Sequence, residues 1–155
     1  MIRLADEFFE TKNDPSQLSI TEEVMNQLRS IHPATMGEKA IDNGPIAWTI
    51  VIPTTHEICA DFVNGMIGEE ELMQRTLAQK VYTSLYLCSA LVLPEFRGNG
   101  LAKELVMDSL RSIRTHHAIT ELFVWSFSIE GSGLAKSIAA SAGLPLIERL
   151  DVKRH

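Results

Sequence analysis

The sequence is poor in the residues that build disulfide frameworks and metal clusters. Only two cysteines, Cys59 and Cys88, occur among 155 residues, and they lack the spacing of a metal-ligand pair. Each lies within an apolar pattern, so we expect both to be small buried hydrophobic residues rather than reactive thiols. His56-Glu57 begins like a zinc-protease motif, but Ala60 occupies the place of the second histidine. The sequence therefore predicts no metal site.

The chain also lacks an excess of positive charge and any long apolar run. Its 14 Lys and Arg against 20 Asp and Glu give a formal net charge of −6, so nucleic acid is not an expected partner. No run approaches the ~18 apolar residues of a membrane span. Asp6, Glu7 and Glu10 stand where a signal peptide would be basic and then apolar. We therefore expect a cytoplasmic protein with no membrane segment, whose acidic surface mildly favours a cationic substrate such as an amine.

The composition that remains is that of a folded domain. Hydrophobic residues make up 45% of the chain, and the mean hydropathy is +0.04. At this length we expect one domain over 1–155, without internal repeats or a linker long enough to separate domains. The parts 1–80 and 81–152 differ in one respect, because only the second has an order of elements that points to a known architecture.

Helical and strand patterns alternate along the chain. In the first part we expect a helix (or a strand) over 2–10, a strand over 46–52 that Pro53 ends, and helices over 20–31, 55–66 and 69–80. Capping boxes at Ser19 and Thr54 would begin the first two of these three helices. The acids Glu69, Glu70 and Glu71 begin the third, and we expect them to be solvated residues favoured by the helix dipole.

The second part predicts the order strand, helix, strand, helix, strand. Its strands cover 81–93, 119–128 and 146–152, and its helices begin near 101 and 130. His116-His117 closes the first helix, and Gly143 ends the second. Strand–helix–strand units favour parallel pairing, so the sequence predicts the fold class α/β (α+β). The loop after the first strand would then lie at the edge where such sheets bind ligands.

That loop, Arg97-Gly98-Asn99-Gly100, stands between an apolar strand and an amphipathic helix. Its glycines allow a sharp bend, and the helix start turns backbone N–H groups toward one spot that suits a phosphate or pyrophosphate. It is not a P-loop, because Leu101-Ala102 follows Gly100. It is a poor dinucleotide fingerprint, because Lys103 replaces a small residue. The alternative is a glycine-rich connection with no ligand.

Arg97, Gly100 and Ala102 satisfy a third pattern, Arg/Gln-x-x-Gly-x-Gly/Ala, and Val92-Leu93-Pro94-Glu95-Phe96 precedes it. Together these residues resemble motif A of the GNAT superfamily of acyl-CoA-dependent N-acyltransferases. The likeness is specific over 92–102 and architectural over 81–152. It implies a GNAT-like three-layer fold with a central mixed sheet and helices on both faces. It also implies acetyl-CoA as cofactor, and acyl transfer by direct attack of a primary amine, carried by a small molecule or a peptide. The resemblance is compatible with a monomer and with a homodimer.

The resemblance also implies roles for individual residues. Backbone N–H groups of 97–102 would hold the CoA pyrophosphate, and the strand backbone at 91–93 would pair with the pantetheine arm. An N–H near Val92 would polarise the thioester carbonyl. Arg97 and Lys103 either add charge near the phosphates or are simply solvated. The implied cofactor-binding residues are Leu91, Val92, Leu93, Arg97, Gly98, Asn99, Gly100, Leu101, Ala102 and Lys103.

The sequence departs from the family where the catalytic acid is expected. Family members often carry a tyrosine four residues before the glycine that ends the last helix, and this chain has Ala139 there. An asparagine usual near the start of that helix corresponds to Ser132. Tyr82, Tyr86 or a water would have to serve, so no catalytic residue is assigned. The alternatives are a non-catalytic module of the same fold that binds CoA or a partner, and an unrelated α/β phosphate-binding protein.

Overall fold

A computed structural model describes residues 20–42, 44–126 and 128–150. Five helices are seen there: α1 (Glu22–Ile31), α2 (His56–Val63), α3 (Glu69–Leu77), α4 (Leu101–Arg114) and α5 (Ile129–Ala142). Five strands accompany them: β1 (Met36–Ile41), β2 (Gly44–Thr54), β3 (Ser84–Val92), β4 (Glu121–Val124) and β5 (Leu146–Glu148). The element predicted over 2–10, the cap predicted at Ser19 and the end of the strand predicted over 146–152 lie outside the described residues.

The strands form one mixed sheet in the order β1-β2-β3-β4-β5. The pairs β1/β2 and β2/β3 are antiparallel, whereas β3/β4 and β4/β5 are parallel. The parallel pairing predicted for the second part of the chain is therefore confirmed, with β3 in the centre of the sheet. The fold is α+β, as the order of elements predicted.

The starts of two predicted helices lie one or two residues later than expected. Thr21 caps α1, because its hydroxyl accepts the N–H of Val24 at 3.1 Å. Thr55 caps α2 by accepting the N–H of Ile58 at 3.2 Å. The cap predicted at Thr54 is wrong for a physical reason: Thr54 is the last residue of β2, and its hydroxyl lies 2.6 Å from that of buried Thr76 on α3.

Strand β2 continues through Pro53, where the sequence predicted that it would stop. The N–H of Val51 donates to the carbonyl of Thr35 at 2.8 Å, toward the side of the sheet on which β1 lies. Because backbone groups alternate in direction along a strand, the nitrogen of Pro53, two residues later, points to the same side. Pairing between β1 and β2 extends only to Met36 and Ile50. The proline nitrogen therefore faces a side where β2 has no strand partner, so the missing donor interrupts no ladder.

Helices cover both faces of the sheet. On one face, Phe62 of α2 packs against Tyr86 and Phe123, with ring centroids 4.8 and 5.7 Å apart. On the other, α4 lies against β1 and β2, and Lys103 of α4 donates to the Ser137 hydroxyl of α5 at 2.9 Å. Within 20–42, 44–126 and 128–150, no helix has the length and the apolar character that a membrane crossing requires.

Candidate functional site

The central feature of the site is an opening between two parallel strands. Strands β3 and β4 pair from Ser84 and Glu121 as far as Leu87 and Val124, and there β4 ends. The ten-residue strand predicted over 119–128 is thus only four residues long. Strand β3 continues to Val92 and remains paired with β2. Its segment 88–92 therefore has a strand partner on one side only among the described residues.

A β-bulge in β3 coincides with this separation. Ile50 of β2 pairs with Ser89, whereas the next residue, Val51, pairs with Leu87. Cys88 is therefore one residue in excess, and a bulge of this kind bends its strand and increases its local twist. The bulge lies where β4 stops pairing, so β3 and β4 separate at Cys88.

The backbone of β3 presents hydrogen-bonding groups to the opening. The N–H of Leu93 donates to the carbonyl of Ile46 on β2 at 2.9 Å. Because amide groups alternate in direction along an antiparallel strand, Leu91 also faces β2, and Ala90 and Val92 face the opening. Of the three strand residues that the resemblance implies, Val92 is thus the one whose N–H points where a ligand could lie. Its carbonyl accepts the Arg97 Nε–H at 3.0 Å.

The loop after β3 leads into the N-terminus of α4. Gly98 and Gly100 have φ of 86° and 73°, a left-handed conformation that favours glycine. A Cβ at either position would meet no atom within 4 Å, so this conformation, and not crowding, is what requires glycine. The N–H of Glu104 donates to the Gly100 carbonyl at 3.0 Å. The three preceding N–H groups, at 101–103, have no carbonyl within the helix to bind.

Most of the predicted cofactor residues line one cavity of about 730 Å³, which extends through the opening from one face of the sheet to the other. Those that line it are Leu91, Val92, Arg97, Gly98, Gly100, Leu101, Ala102 and Lys103. Two lie outside the lining, Leu93 and Asn99; the Asn99 side-chain amide instead donates to the Phe96 carbonyl at 3.2 Å. The predicted loop is therefore brought together with the opening in the sheet.

The end of the cavity nearest the loop suits an anion. Arg97 is exposed and Lys103 half-buried there, so both positive side chains are available close to the start of α4. The N-terminus of α5 lies at the same cavity, where the Ser128 hydroxyl accepts the Gly131 N–H at 3.0 Å. The α4 N-terminus and two cations thus favour negative charge at this end, whereas the first turn of α5 already carries the acidic Glu130.

The opposite end of the cavity contains the buried carboxylate of Glu69, a residue that the sequence predicted to be solvated. Glu69 is only 4% exposed, whereas Glu70 and Glu71 are exposed, so the prediction of a solvated Glu69 is wrong. The Tyr86 hydroxyl donates to Glu69 Oε2 at 2.5 Å, and the Cys88 thiol lies 3.7 Å from the same oxygen. These donors come from a distant strand, so no local pattern could have identified them.

Tyr86 remains a hydrogen-bond donor. Complete burial, followed by the charges of Glu69 and Cys88, raises the pKa of Tyr86 well above its usual value. The hydroxyl is thus protonated at neutral pH and holds the Glu69 carboxylate in place. Tyr86 is thus a packed aromatic residue whose hydroxyl already has a hydrogen-bond partner.

None of the candidate positions for a catalytic acid places a tyrosine in the lining of the cavity. Ala139 is buried in the core, and the Ser132 hydroxyl donates to Glu148 Oε1 at 2.8 Å. The Tyr82 hydroxyl donates to the Gln79 carbonyl at 3.2 Å, away from the cavity. Among the described residues, the lining of the cavity contains no tyrosine.

The two cysteines differ in their surroundings. Cys59 is 1% exposed, and burial, with a smaller contribution from nearby Glu121, raises the pKa of its thiol to about 12. It is the buried, unreactive residue that the sequence predicted. Cys88 is only half-buried and lines the cavity. In the described part of the chain, no group of three or more His, Cys, Asp or Glu could hold a metal ion.

The site as a whole can hold an extended ligand. Backbone groups of β3 would bind its middle, the α4 N-terminus would bind an anionic end, and the Glu69 carboxylate would lie near the other end. Comparison of the chain with protein-family models, with curated proteins and with solved structures gives no match.

Proposed function

We propose that this protein is an N-acyltransferase with a GNAT-like fold, which moves an acetyl group from acetyl-CoA to a primary amine. One observation carries the proposal: the opening between β3 and β4 leads directly to the α4 N-terminus within a single cavity. A ligand that joins an amide-containing arm to a diphosphate would make hydrogen bonds along the whole of this path. The motif-A residues at 97–102 lie at the end of the path where the diphosphate would bind.

The residues present fit CoA in three respects. The Ala90 and Val92 amide groups face the opening and would extend the sheet by pairing with the pantetheine arm. The N–H groups at 101–103 would bind the pyrophosphate, with Arg97 and Lys103 nearby. When bound, acetyl-CoA would supply an activated acyl group. One of the two N–H groups on this open side, at Ala90 or Val92, would donate to its carbonyl oxygen, while the other pairs with the pantetheine arm.

The acceptor in this proposal is the amine of a small molecule or a peptide. An amine attacks a thioester directly, so the reaction requires no cysteine nucleophile. Cys59 is buried and lies outside the cavity lining. The net charge of −6 would also attract an amine, which is a cation before it reacts.

Calorimetric titration with CoA tests the binding step. We expect saturable binding of CoA with a micromolar Kd, and weaker binding of ADP, which cannot pair with the open side of β3. Release of free thiol from acetyl-CoA in the presence of an amine panel tests the transfer step. Absence of CoA binding at millimolar concentration would overturn the proposal.

A second candidate is a CoA-binding module without catalytic activity. The observation that favours it is Ala139, a buried core residue where many family members carry a catalytic tyrosine. This candidate predicts the same affinity for CoA but no thiol release above the rate of spontaneous hydrolysis with any amine. The two experiments together therefore distinguish an enzyme, a binding module and a protein unrelated to CoA.

A further inference from the structure

The cavity includes an aliphatic compartment on the face of the sheet that α4 and α5 cover. Tyr86 and Phe123 both pack against Phe62 of α2 on the opposite face. Because side chains alternate between the two faces of a strand, the next residues, Leu87 and Val124, lie on the side of α4 and α5. One residue of α4 and three of α5 complete the group. The members of this aliphatic compartment are Leu87, Val106, Val124, Leu134, Ala135 and Ile138.

The side chains of the aliphatic compartment offer only apolar surface to a ligand. Four of its six members are at most 7% exposed, and Leu87 and Leu134 are half-buried. The rest of the cavity differs, because cations lie near the loop after β3, and Glu69, held by the Tyr86 hydroxyl, lies on the α1–α3 face. A charged group would lose its water in the compartment without meeting a polar side chain there. The compartment therefore suits an uncharged hydrocarbon group.

The compartment lies at the closed end of the opening in the sheet. Leu87 and Val124 form the last pair between β3 and β4, and of the two N–H groups that face the opening, that of Ala90 is the nearer to this pair. The partners of Leu87 and Ala90 on β2 are Val51 and Thr49, which are two residues apart. The backbone therefore extends roughly 7 Å from Ala90 to the closed end. The methyl carbon of an acetyl group lies only about 1.5 Å from its carbonyl carbon, so acetyl would leave most of this length unfilled.

On the basis of the proposed acyl transfer, we infer that the aliphatic compartment binds the hydrocarbon chain of an acyl group longer than acetyl. The pantetheine arm enters from the loop after β3, so the carbonyl at Ala90 or Val92 is followed by the chain in the direction of Leu87 and Val124. An acyl group of about four to six carbon atoms, with C–C bonds of about 1.5 Å, matches the available length. The donor is therefore a short- to medium-chain acyl-CoA, of which acetyl-CoA is the smallest member.

This arrangement leaves the α1–α3 face of the opening to the acceptor. The nitrogen of the neutral amine forms the C–N bond from that side as the C–S bond breaks, and a proton passes from the nitrogen to the sulfur. The products are an amide and the free thiol of CoA, whatever the length of the chain. A longer acyl group thus changes the affinity for the donor and leaves the reaction the same.

Calorimetric titration with CoA thioesters of increasing chain length tests this inference in the absence of an acceptor. Burial of one CH2 group strengthens binding about three- to fourfold, so butyryl-CoA should bind about tenfold more tightly than acetyl-CoA. The gain should stop at the length that fills the compartment, near hexanoyl-CoA. Equal affinities for acetyl-CoA and butyryl-CoA would overturn the inference while leaving the proposed transfer of acetyl groups intact.

Substitution of Ala135 by Leu fills part of the compartment, and Ala140→Leu is the matched control. Both variants change the same residue type on α5, but Ala140 is exposed and lies outside the cavity lining. Ala135→Leu should reduce the tenfold preference for butyryl-CoA over acetyl-CoA to less than about threefold, whereas Ala140→Leu should keep it. A preference retained in Ala135→Leu would contradict the assignment of the chain to this compartment.

Leu134→Ala keeps the inference testable if Ala135→Leu does not fold, because it enlarges the compartment at a half-buried position. This variant should move the tightest binding from hexanoyl-CoA to octanoyl-CoA, and an unchanged optimum would contradict the assignment. If neither CoA nor any of its thioesters binds at millimolar concentration, the inference and the proposed function both fail. A chain-length preference without thiol release to any amine would support the compartment and overturn only the proposed transfer.

Discussion

The Nε2 of His32, just after α1, lies 3.1 Å from Nδ1 of His116, just after α4. The other nitrogen of His32 accepts the N–H of Ala34 at 3.0 Å. His117 belongs to the same group, because its Nδ1 accepts the N–H of Tyr82 at 3.3 Å. Rings of His32 and His117 have their centroids 6.1 Å apart. Three histidines thus connect α1, α4 and the start of β3, two of them as acceptors of backbone hydrogen bonds.

We predict that acid destabilises the protein through this cluster. Burial, then the neighbouring histidines, lowers the pKa of His32 below its usual 6.5, and the pKa of His117 is lowered in the same way. A lowered folded-state pKa contributes stability above pH 6.5 that is lost as the pH falls toward the folded-state value. The Tm should therefore decrease between pH 7.5 and pH 5.5. In His32→Asn, whose side-chain oxygen can still accept the Ala34 N–H, the decrease should be smaller; an equal decrease would contradict the assignment.

His56 should give the opposite pH dependence. Its Nδ1 lies 2.7 Å from Glu121 Oε2, and this hydrogen bond and the charge of Glu121 raise the pKa of His56. The stability that it contributes is present below pH 6.5 and is lost as the pH rises through the folded-state value. His56→Asn should therefore lower the Tm more at pH 5.5 than at pH 7.5. Because the side chain is 75% exposed, added salt should reduce the effect.

Gly100 should be essential for ligand binding. In Gly100→Glu, a negative side chain begins next to the N–H groups of α4 and competes with a phosphate. Gly143→Glu is the matched control, because Gly143 has φ of 70° against 73° for Gly100, and a Cβ at either position meets no atom within 4 Å. In both variants the free energy of unfolding should be about 1–2 kcal/mol lower, because a residue with a Cβ is less stable than glycine in the left-handed conformation.

Only the Gly100 variant should lose affinity for CoA, by about 100-fold or more, which corresponds to roughly 2.8 kcal/mol. Calorimetry on the two folded variants makes the comparison. Similar affinities in both would mean that the loop binds no phosphate.

Substitution by alanine should have opposite effects on stability at two other glycines. A Cβ at Gly37 of β1 would lie 2.6 Å from the buried Thr49 hydroxyl and 3.3 Å from Leu105 Cβ, so Gly37→Ala should lower the free energy of unfolding by about 1–3 kcal/mol. Gly133 lies inside α5 with open space around it. Gly133→Ala should therefore add about 0.5–1 kcal/mol.

Urea unfolding of the two alanine variants checks these signs. Thr49→Ala should partly restore the stability of Gly37→Ala, since it removes the oxygen that the new methyl group meets. A loss unaffected by Thr49→Ala would place the strain elsewhere.

The sequence predicted the features that depend on neighbouring residues. The loop at 97–100 and the helix behind it follow from glycine conformation and from hydrophobic periodicity, and both are found where they were predicted. Strand β1 was not predicted, because Met36–Ile41 is mostly exposed and has no apolar alternation. It becomes a strand by pairing with β2, a long-range interaction that a local pattern does not contain.

The candidate site was only half predictable for the same reason. Acids at a helix start are usually solvated, and Glu70 and Glu71 follow that rule. Glu69 does not, because Tyr86 and Cys88 from β3 provide its hydrogen-bond donors. The opening in the sheet depends on the end of β4 at Val124, where the sequence continues with the apolar residue Trp125. Composition alone gives no sign that pairing stops there.

The bulge at Cys88 has a consequence for how the cavity could be lost or gained. Deletion of Cys88 would let Ser89 follow Leu87 in regular register with β2, while 89–92 kept their side chains on the same faces. A straightened β3 would lose the bend that lies where β4 stops pairing, so we expect the opening to narrow. The end of β4 and one surplus residue in β3 thus act together at the entrance, and a single-codon insertion or deletion at this point would affect the cavity as a substitution in the loop does.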